Sequence, residues 1–246
     1  MQLEFEAILW EEWIVFKRKF WNITASAMIS PLLYMVAFGW GLGKDMYING
    51  HPYINFIVPG IVAMATMNTS YSAVAVLLNI HRLYDKTFEQ YLIAPLPIYK
   101  YVLGKVLAGS FRGMYAGFII LTIAFLAGVK IKVTFIFVFI MFLNGLAFAS
   151  LGFYAALVVD SHADMNRFST YVLLPMTFLC GTFFSLENMP PTIQKVIYLL
   201  PLTHASRGLR SIALETPFNW VNILVLSVFF TLLFSLAIRQ CYKVTA

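Results

Sequence analysis

Six long apolar stretches, separated by shorter polar segments, occupy most of the 246-residue chain. A helix needs about 20 residues to cross the roughly 30 Å hydrocarbon core of a bilayer, and each stretch is about that long. The pattern predicts six transmembrane helices, at residues 22–42, 54–80, 102–129, 133–158, 169–187 and 219–238. We therefore expect an all-α polytopic membrane protein in which residues 1–246 form a single transmembrane domain.

A short amphipathic helix is predicted before the first span, within residues 1–21. Aromatic residues that include Trp13 and Phe16 share one side of this helix, whereas Glu11 and Glu12 lie on the opposite side. Tryptophan prefers the headgroup region of a membrane, so we expect an interfacial helix that lies on the inner leaflet. The alternative is a frayed cytoplasmic extension.

The connection at residues 81–101 joins the second and third spans. Its first half is helix-forming sequence with one apolar side, and Pro95 and Pro97 then stop the helix. An amphipathic helix bounded by rigid turns suits docking to a soluble partner, and Glu89 is its most informative polar residue. The alternative for Glu89 is a solvated loop charge.

A second connection, at residues 188–218, joins the fifth and sixth spans. Pro190 is expected to start a short helix there, and Pro201 to end it. Thr203 is expected to cap a second short helix that continues to Leu214. Because neither helix is long enough to span the membrane, the pattern predicts an external re-entrant or surface hairpin.

Small and polar residues mark particular sides of the spans. Gly109, Gly113 and Gly117 follow one another at four-residue spacing in the third span, and the fourth span has a comparable stripe of glycine and alanine. Such stripes let helices approach closely, so both are predicted to be packing faces. The middle of the second span is unusually polar and includes Asn68 and Tyr71. These side chains either form interhelical hydrogen bonds or line a ligand pathway.

Arg112 is the one basic residue that lies well inside a predicted span. A charge at that depth is costly, so its side chain must reach the interface, find a partner of opposite charge or face water. Two interpretations remain open. Either the start of the third helix is partly interfacial, or Arg112 lies beside a polar pathway.

Composition and charge agree with a membrane protein. A chain with 61% hydrophobic and 11% charged residues has too little polar surface for a soluble domain. If both termini are cytoplasmic, the inner segments carry more lysine and arginine than the outer loops, which explains the net charge of +6 by topology. Cys180 and Cys241 lie at different predicted depths, so no disulfide is expected.

Enzymatic motifs are absent from the sequence. There is no GxxxxGKS/T nucleotide loop, no HExxH and no GxSxG, and the four histidines fall in four separate connections. We therefore expect no catalytic residue, no metal site and no cofactor on this chain, and no nucleic-acid partner.

Several short sequences, in a fixed order on the six spans, are similar to those of one family. They are NFIVPG at 55–60, KTFEQ at 86–90, APLP at 94–97, GTFFSLENMP at 181–190, LPLTH at 200–204 and Arg210. With the N-terminal interfacial helix, they make the chain resemble the permease subunit of an ABC-2-type (type V exporter) ABC transporter. That group contains polysaccharide, nodulation-factor and drug exporters.

The resemblance implies a homodimer of permeases that forms the translocation pathway and is driven by two copies of a separate ABC ATPase, which binds ATP and magnesium. It implies the inner membrane of a bacterial or archaeal cell, with both termini cytoplasmic. It assigns coupling to the ATPase to Asp85, Lys86, Phe88, Glu89, Gln90 and Pro95. The candidate residues of the pathway or its gate are Asn68, Tyr71, Arg112, Pro190, His204, Arg207 and Arg210.

A stand-alone secondary transporter or channel is the alternative function, with a pocket among the polar residues of the second span. A membrane scaffold without transport is a third possibility. Proton or sodium coupling is disfavoured because the second, third and fourth spans contain no acidic residue.

Overall fold

The computed structural model describes residues 2–43, 46–48, 50–84 and 97–245, and most of them are helical. The helices are α1 Gln2–Arg18, α2 Phe20–Tyr34, α3 Tyr53–Leu83, α4 Ile98–Leu126, α5 Phe135–Val158, α6 His162–Leu179, α7 Pro191–Ile197, α8 Pro201–Ala213 and α9 Val221–Thr245. A π-helical segment, Met35–Leu42, extends α2, and a 3-10 turn covers Leu186–Asn188. Two short strands, β1 Tyr47–Ile48 and β2 His51–Pro52, pair in antiparallel orientation.

The central helix of the bundle is α3, which packs against α4, α5 and α8. Ile57, Ile61 and Met67 on this helix are fully buried. A helical segment that is apolar on all sides is buried on all sides, and this holds for the first half of α3, where residues 56–67 are all buried. By contrast, α9 packs against α5 and α8 with one side and exposes Leu224 and Leu232 on the other.

Among the described residues, five helices are long and apolar enough to cross a membrane. They are Phe20–Gly39, Tyr53–Leu83, Ile98–Leu126, Phe135–Val158 and Val221–Lys243. Each coincides with one of the stretches predicted from the sequence, because the length of an apolar helix must match the thickness of the bilayer. The polytopic all-α class is therefore confirmed.

The predicted span at 169–187 corresponds only in part to a helix. Helix α6 begins earlier, where the Ser161 side chain accepts a hydrogen bond from the Asp164 amide at 3.0 Å, and it ends at Leu179. The chain then turns at Gly181, which has a φ of +71°. The described helix thus includes a polar first turn and stops before the end of the apolar stretch, and the count of six spans stays a prediction.

The glycine stripe on α4 is a packing face, as predicted. A Cβ added at Gly113 would collide with the Ser70 side chain and lie 2.7 Å from the Thr66 carbonyl oxygen of α3. A Cβ at Gly109 would lie 2.5 Å from a methyl group of Val74, one turn further along α3. Only glycine therefore permits the observed separation of these two helices.

The 188–218 connection folds into a pair of short helices, but the predicted role of two residues is wrong. Pro201 occupies the first turn of α8 instead of ending the preceding helix, and Leu200 is the N-cap residue. The Thr203 hydroxyl does not cap α8, because it donates to the Ile197 carbonyl at the end of α7, at 2.7 Å. Proline is favoured at this position because the amide groups of the first helical residues have no carbonyl acceptor within the helix, so the missing N–H of proline costs nothing. Thr203 instead ties the two helices together.

Substituting Gly113 by alanine should destabilise the protein by about 1–3 kcal/mol, because the new methyl group has no space against α3. This loss should outweigh the gain in helix propensity of about 1 kcal/mol. Thermal unfolding in detergent should show a melting temperature lower by several degrees.

Gly41→Ala is the matched control, because a Cβ at Gly41 would meet its nearest neighbour, the Val36 carbonyl oxygen, at an ordinary 3.5 Å. If both variants melt like the parent, α3 and α4 are not in close contact at Gly113.

Candidate translocation and coupling sites

A cluster of buried charges joins α1 to α4. One oxygen of the Glu12 carboxylate accepts a hydrogen bond from Lys105 Nζ at 2.6 Å, and the other accepts one from Arg112 Nη2 at 2.8 Å. The backbone carbonyl of Glu12 accepts a further hydrogen bond from Arg112 Nη2, at 3.0 Å. All three side chains are buried, and Glu11 lies 3.6 Å from Lys105 at the edge of the cluster. Each buried charge thus has a partner of opposite sign, which is the condition for burying it.

The sequence of α1 explains how Glu12 reaches this position. Ile8 lies four residues earlier and is 3% exposed, and residues four apart share one side of a helix. The side with Ile8 and Glu12 packs against α4, whereas Trp10 and Trp13 are 64% and 55% exposed on other sides. The acidic side of the amphipathic helix therefore faces protein, and the tryptophans are free to contact a membrane.

The spacing along α4 gives an approximate depth for the cluster. Lys105 is 21 residues before Leu126, the last residue of α4, which corresponds to about 31 Å. This is close to the roughly 30 Å thickness of the hydrocarbon core, so Lys105 lies near one edge of the membrane. Arg112 lies about 10 Å further in. The structure shows that Arg112 is paired with the N-terminal helix, and the two interpretations of its place in the membrane stay predictions.

A cavity of about 600 Å³ opens between α2, α3 and the Arg112 side chain. Asn68 and Thr69 of α3 line it, together with Ser26 and Ser30 of α2. Two of the predicted pathway residues, Asn68 and Arg112, therefore meet at one cavity.

Tyr71, another predicted pathway residue, does not line that cavity. Its hydroxyl donates to the Met165 sulfur at 3.2 Å and accepts from the Ser169 hydroxyl at 3.3 Å, so it joins α3 to α6. The neighbouring contact between α3 and α5 is a hydrogen bond from the Asn144 side-chain amide to the Ala63 carbonyl, at 2.9 Å. These polar groups hold helices together, which is the commoner role of such side chains in membranes.

The candidate coupling residues Asp85, Lys86, Phe88, Glu89, Gln90 and Pro95 lie outside the described residues. The helix end that leads into them is described. Arg82 Nη1 donates to the carbonyl oxygens of Ala156 and Val159, at 3.0 and 3.1 Å, and Arg82 Nη2 lies 3.3 Å from Asp160. The last carbonyls of a helix have no amide partner within it, and a cation near them is favourable. Arg82 therefore fixes the end of α3 to the end of α5.

Arg210 anchors the 188–218 hairpin to the bundle. Its guanidinium donates to the carbonyl oxygens of Phe56, Gly181 and Thr182, at 3.0, 2.7 and 3.3 Å, and lies 3.7 Å from the centre of the Phe56 ring. Burial, with a smaller contribution from nearby Arg207, lowers the pKa of the Arg210 guanidinium to about 9. Arg210 is still protonated at pH 7, and the three carbonyl oxygens stabilise its charge.

A second cavity, of about 310 Å³, lies beside the hairpin. Arg207 and Arg210 both line it. The buried His204 ring donates from Nε2 to the Tyr198 carbonyl at 2.8 Å, and its Nδ1 is 3.1 Å from Asn222, which lines the cavity. Pro190 is exposed at the N-cap of α7 and does not line it.

Sequence reasoning missed Glu12, Lys105 and Arg82 as residues of these sites. The signal was partly present, because a basic residue at the depth of Arg112 requires an acidic partner. Several acidic residues were candidates, including Glu89 and the α1 residues Glu11 and Glu12, and Glu12 is 100 residues from Arg112 in the chain. Which of them reaches Arg112 depends on how α1 docks on α4, and a single sequence does not contain that information.

Replacing Glu12 by glutamine should destabilise the protein by about 3–5 kcal/mol, because Arg112 then remains buried without its counter-charge. The double variant Glu12→Gln/Arg112→Gln should lose less than the sum of the two single variants, by about 0.5–3 kcal/mol. Thermal unfolding of the three variants in detergent measures this coupling energy.

Glu6→Gln is the matched control, because Glu6 is an exposed acid on the same helix. It should change stability by less than about 0.5 kcal/mol. Additive effects in the double variant, or a Glu12→Gln variant that behaves like Glu6→Gln, would contradict the buried ion cluster.

Comparison with known proteins agrees with this architecture. A family model described as ABC-2 type transporter matches residues 3–214. The inner membrane transport permease YadH of Escherichia coli K12 is 29% identical over 201 residues, which cover 78% of this chain and 77% of that protein. Nodulation protein J of Rhizobium meliloti is 30% identical over 221 residues, covering 86% and 84%. Nodulation protein J of Sinorhizobium fredii is 28% identical over 243 residues, covering 92% and 91%.

The matched region covers helices α1 to α8 and ends just after α8. It therefore includes the charge cluster and Arg210. A match over most of the chain, on a bundle of apolar membrane-spanning length, confirms the resemblance found in the sequence. This chain belongs to the ABC-2 type transporter family and is a multi-pass transmembrane permease component of an ABC transporter.

Proposed function

We propose that this chain is the permease subunit of an ATP-driven exporter, in which two permease copies form the translocation pathway and two copies of a separate ATPase drive it. The observation that carries the proposal is the family match over residues 3–214, on a chain whose sequence has no nucleotide-binding loop. ATP and magnesium would bind the ATPase. The energy for transport has to come from outside this chain.

The distribution of acidic residues supports an external energy source. Helices α3, α4 and α5 contain no acidic residue. Glu12, a buried acid of α1, is held by Lys105 and Arg112 together. A carboxylate neutralised by two cations is a poor carrier for a proton, so a stand-alone proton-driven transporter is the weaker alternative.

The contacts on both sides of residues 85–96 support this segment as the point where the ATPase acts. Arg82, just before it, joins α3 to α5. Lys105, just after it, joins α4 to α1 through Glu12. A displacement of the segment would therefore move two separate helix pairs, which suits a switch between inward-open and outward-open arrangements.

In the proposed orientation of the permease, both termini and the 81–101 segment lie in the cytoplasm of a bacterial or archaeal cell, where the ATPase is. The 188–218 hairpin, with Pro190, His204, Arg207 and Arg210, would then gate the outer mouth. Both α2 and α9 leave most of their apolar surface uncovered in one copy, which is compatible with a dimer that covers part of it. These surfaces require lipid or a second permease copy to cover them.

Glu89→Ala should weaken the association of the permease with its ATPase, because Glu89 is the acidic centre of the proposed coupling helix. On a solvated helix the substitution should change stability by less than about 0.5 kcal/mol. The measurement is co-purification with the ABC ATPase whose reading frame neighbours that of the permease, together with the rate of ATP hydrolysis by the complex.

Glu187→Ala is the matched control, since Glu187 is an exposed acid at the opposite end of the bundle. It should bind the ATPase like the parent. If Glu89→Ala also binds and stimulates the ATPase like the parent, Glu89 has no coupling role. If the parent itself does not bind the ATPase, the proposed function is wrong.

A further inference from the structure

The cavity of about 310 Å³ beside the 188–218 hairpin collects polar groups from four separate segments. Arg207 and Arg210 belong to α8, Asn222 to the first turn of α9, Ser185 to the N-cap of the 3-10 turn, and His51 to β2. Its volume is at the lower end of the range for small-molecule sites in proteins. The cavity therefore has room for a small molecule or for one group of a larger molecule.

Two positive charges on one turn of α8 border this cavity. Arg207 and Arg210 are three residues apart, so they share one side of the helix, and both line the cavity. Burial and, to a smaller extent, the charge of Arg207 lower the pKa of the Arg210 guanidinium, which shows that the two charges are close enough to repel each other. Like charges at helical spacing are destabilising. The fold therefore keeps this pair at a cost in electrostatic energy.

Neither arginine has an acidic partner in the part of the chain that the structure describes. Arg210 donates through Nε and Nη2 to three backbone carbonyls, which carry no net charge. The Arg207 guanidinium lies 4.8 Å from the centre of the Tyr198 ring. Glu187 is the one acid among the described residues that line the cavity, and it is exposed and forms no ion pair with either arginine. By contrast, the cations at the opposite end of the bundle that contact neighbouring helices each have an acidic partner.

The donor groups around the cavity match an oxyanion. A guanidinium donates paired hydrogen bonds to phosphate or carboxylate oxygens. Among the described residues, Arg207 donates no hydrogen bond and Arg210 donates none through Nη1, so these groups remain for a ligand. Asn219 and Asn222 add side-chain amides to the same wall. Because Arg207 and Glu187 are exposed, the cavity is open to water at this end of the bundle.

We infer that this cavity binds a phosphate or carboxylate group of the exported molecule, between Arg207 and Arg210. The two positive charges select an anion, and the volume of the cavity limits the bound part to a small polar group. In assigning the anion to the exported molecule, the inference rests on the proposed function. The hairpin then does more than close the pathway, because it holds the anionic part of the molecule during export. Binding itself does not require the ATPase.

The test is calorimetric titration of the purified full chain in detergent, at constant ionic strength, with four probes. Glucose 1-phosphate and glucuronate carry the two kinds of anionic group, and glucose is their uncharged counterpart. The parent should bind glucose 1-phosphate, bind glucuronate more weakly because of its lower charge, and not bind glucose. Phosphatidylglycerol carries its phosphate on a lipid and tests the membrane as the source of the anion. It should not displace glucose 1-phosphate.

Arg207→Gln should weaken the binding of glucose 1-phosphate by about tenfold or more, the effect of losing one hydrogen bond to a charged group. Because Arg207 is exposed and donates to no backbone carbonyl among the described residues, the melting temperature of this variant should stay near that of the parent. Lys195→Gln is the matched control, since Lys195 is an exposed cation on α7 of the same hairpin and does not line the cavity. It should bind glucose 1-phosphate like the parent.

Four results would overturn the inference. They are no binding of either anionic sugar by the parent, as expected if Glu187 neutralises the arginines, equal binding of glucose, equal effects of the two substitutions, and displacement of glucose 1-phosphate by phosphatidylglycerol. Co-purification with the ATPase is measured on the same preparations. A chain that binds the ATPase but neither anionic sugar contradicts this inference alone, whereas one that binds the sugars but not the ATPase contradicts the proposed function.

Discussion

A charge inside the membrane must have a partner, and this protein meets that constraint by placing Glu12 between Lys105 and Arg112. Breaking a buried pair costs about 3–5 kcal/mol, a large part of the stability of most proteins. The N-terminal helix is therefore held to the bundle by charge, whereas the glycine-lined contacts of α4 hold the bundle core by close packing. Arg112 also lines the cavity beside α2, so the charge cluster that holds α1 forms part of the wall of that cavity.

The same pairing rule organises both ends of the bundle. At the end of α3, Arg82 donates hydrogen bonds to carbonyl oxygens at the end of α5 that have no amide partner within the helix. At the other end, Arg210 satisfies three carbonyl oxygens where the backbone leaves regular helix around Gly181. Buried backbone outside regular helix is tolerated where other protein groups form its hydrogen bonds. The protein thus has firm connections at both ends, with the proposed coupling segment beside one and the hairpin beside the other.

Much of the fold could be predicted from the sequence because bilayer thickness fixes the length of apolar helices, and because glycine spacing in α4 reports close contact. The ends of the helices were less predictable where polar side chains form hydrogen bonds with the backbone. Ser161 starts α6 before the apolar stretch, and Thr203 bonds the preceding helix instead of capping its own.

The candidate site was predictable only in part. Arg112 was recognised because a charge in an apolar span is unusual, and Asn68 because the span around it is polar. Glu12, the partner of Arg112, was not predicted, because the side of α1 that contacts α4 is decided by tertiary packing. The coupling residues around Glu89 lie outside the described residues and stay a prediction.

The most direct measurement of the central claim, that a separate ATPase drives this permease, is the reactivity of a cysteine in the 188–218 hairpin. Ser211 is half-buried and lines the cavity beside this hairpin, so Ser211→Cys can be placed in a chain that lacks Cys180 and Cys241 and reconstituted in liposomes. The account predicts that ATP changes the rate of labelling by a membrane-impermeant thiol reagent only when the ATPase is present, while an exposed Lys195→Cys reacts at a constant rate. A rate at Ser211→Cys that ATP leaves unchanged in the complex, or changes without the ATPase, would contradict it.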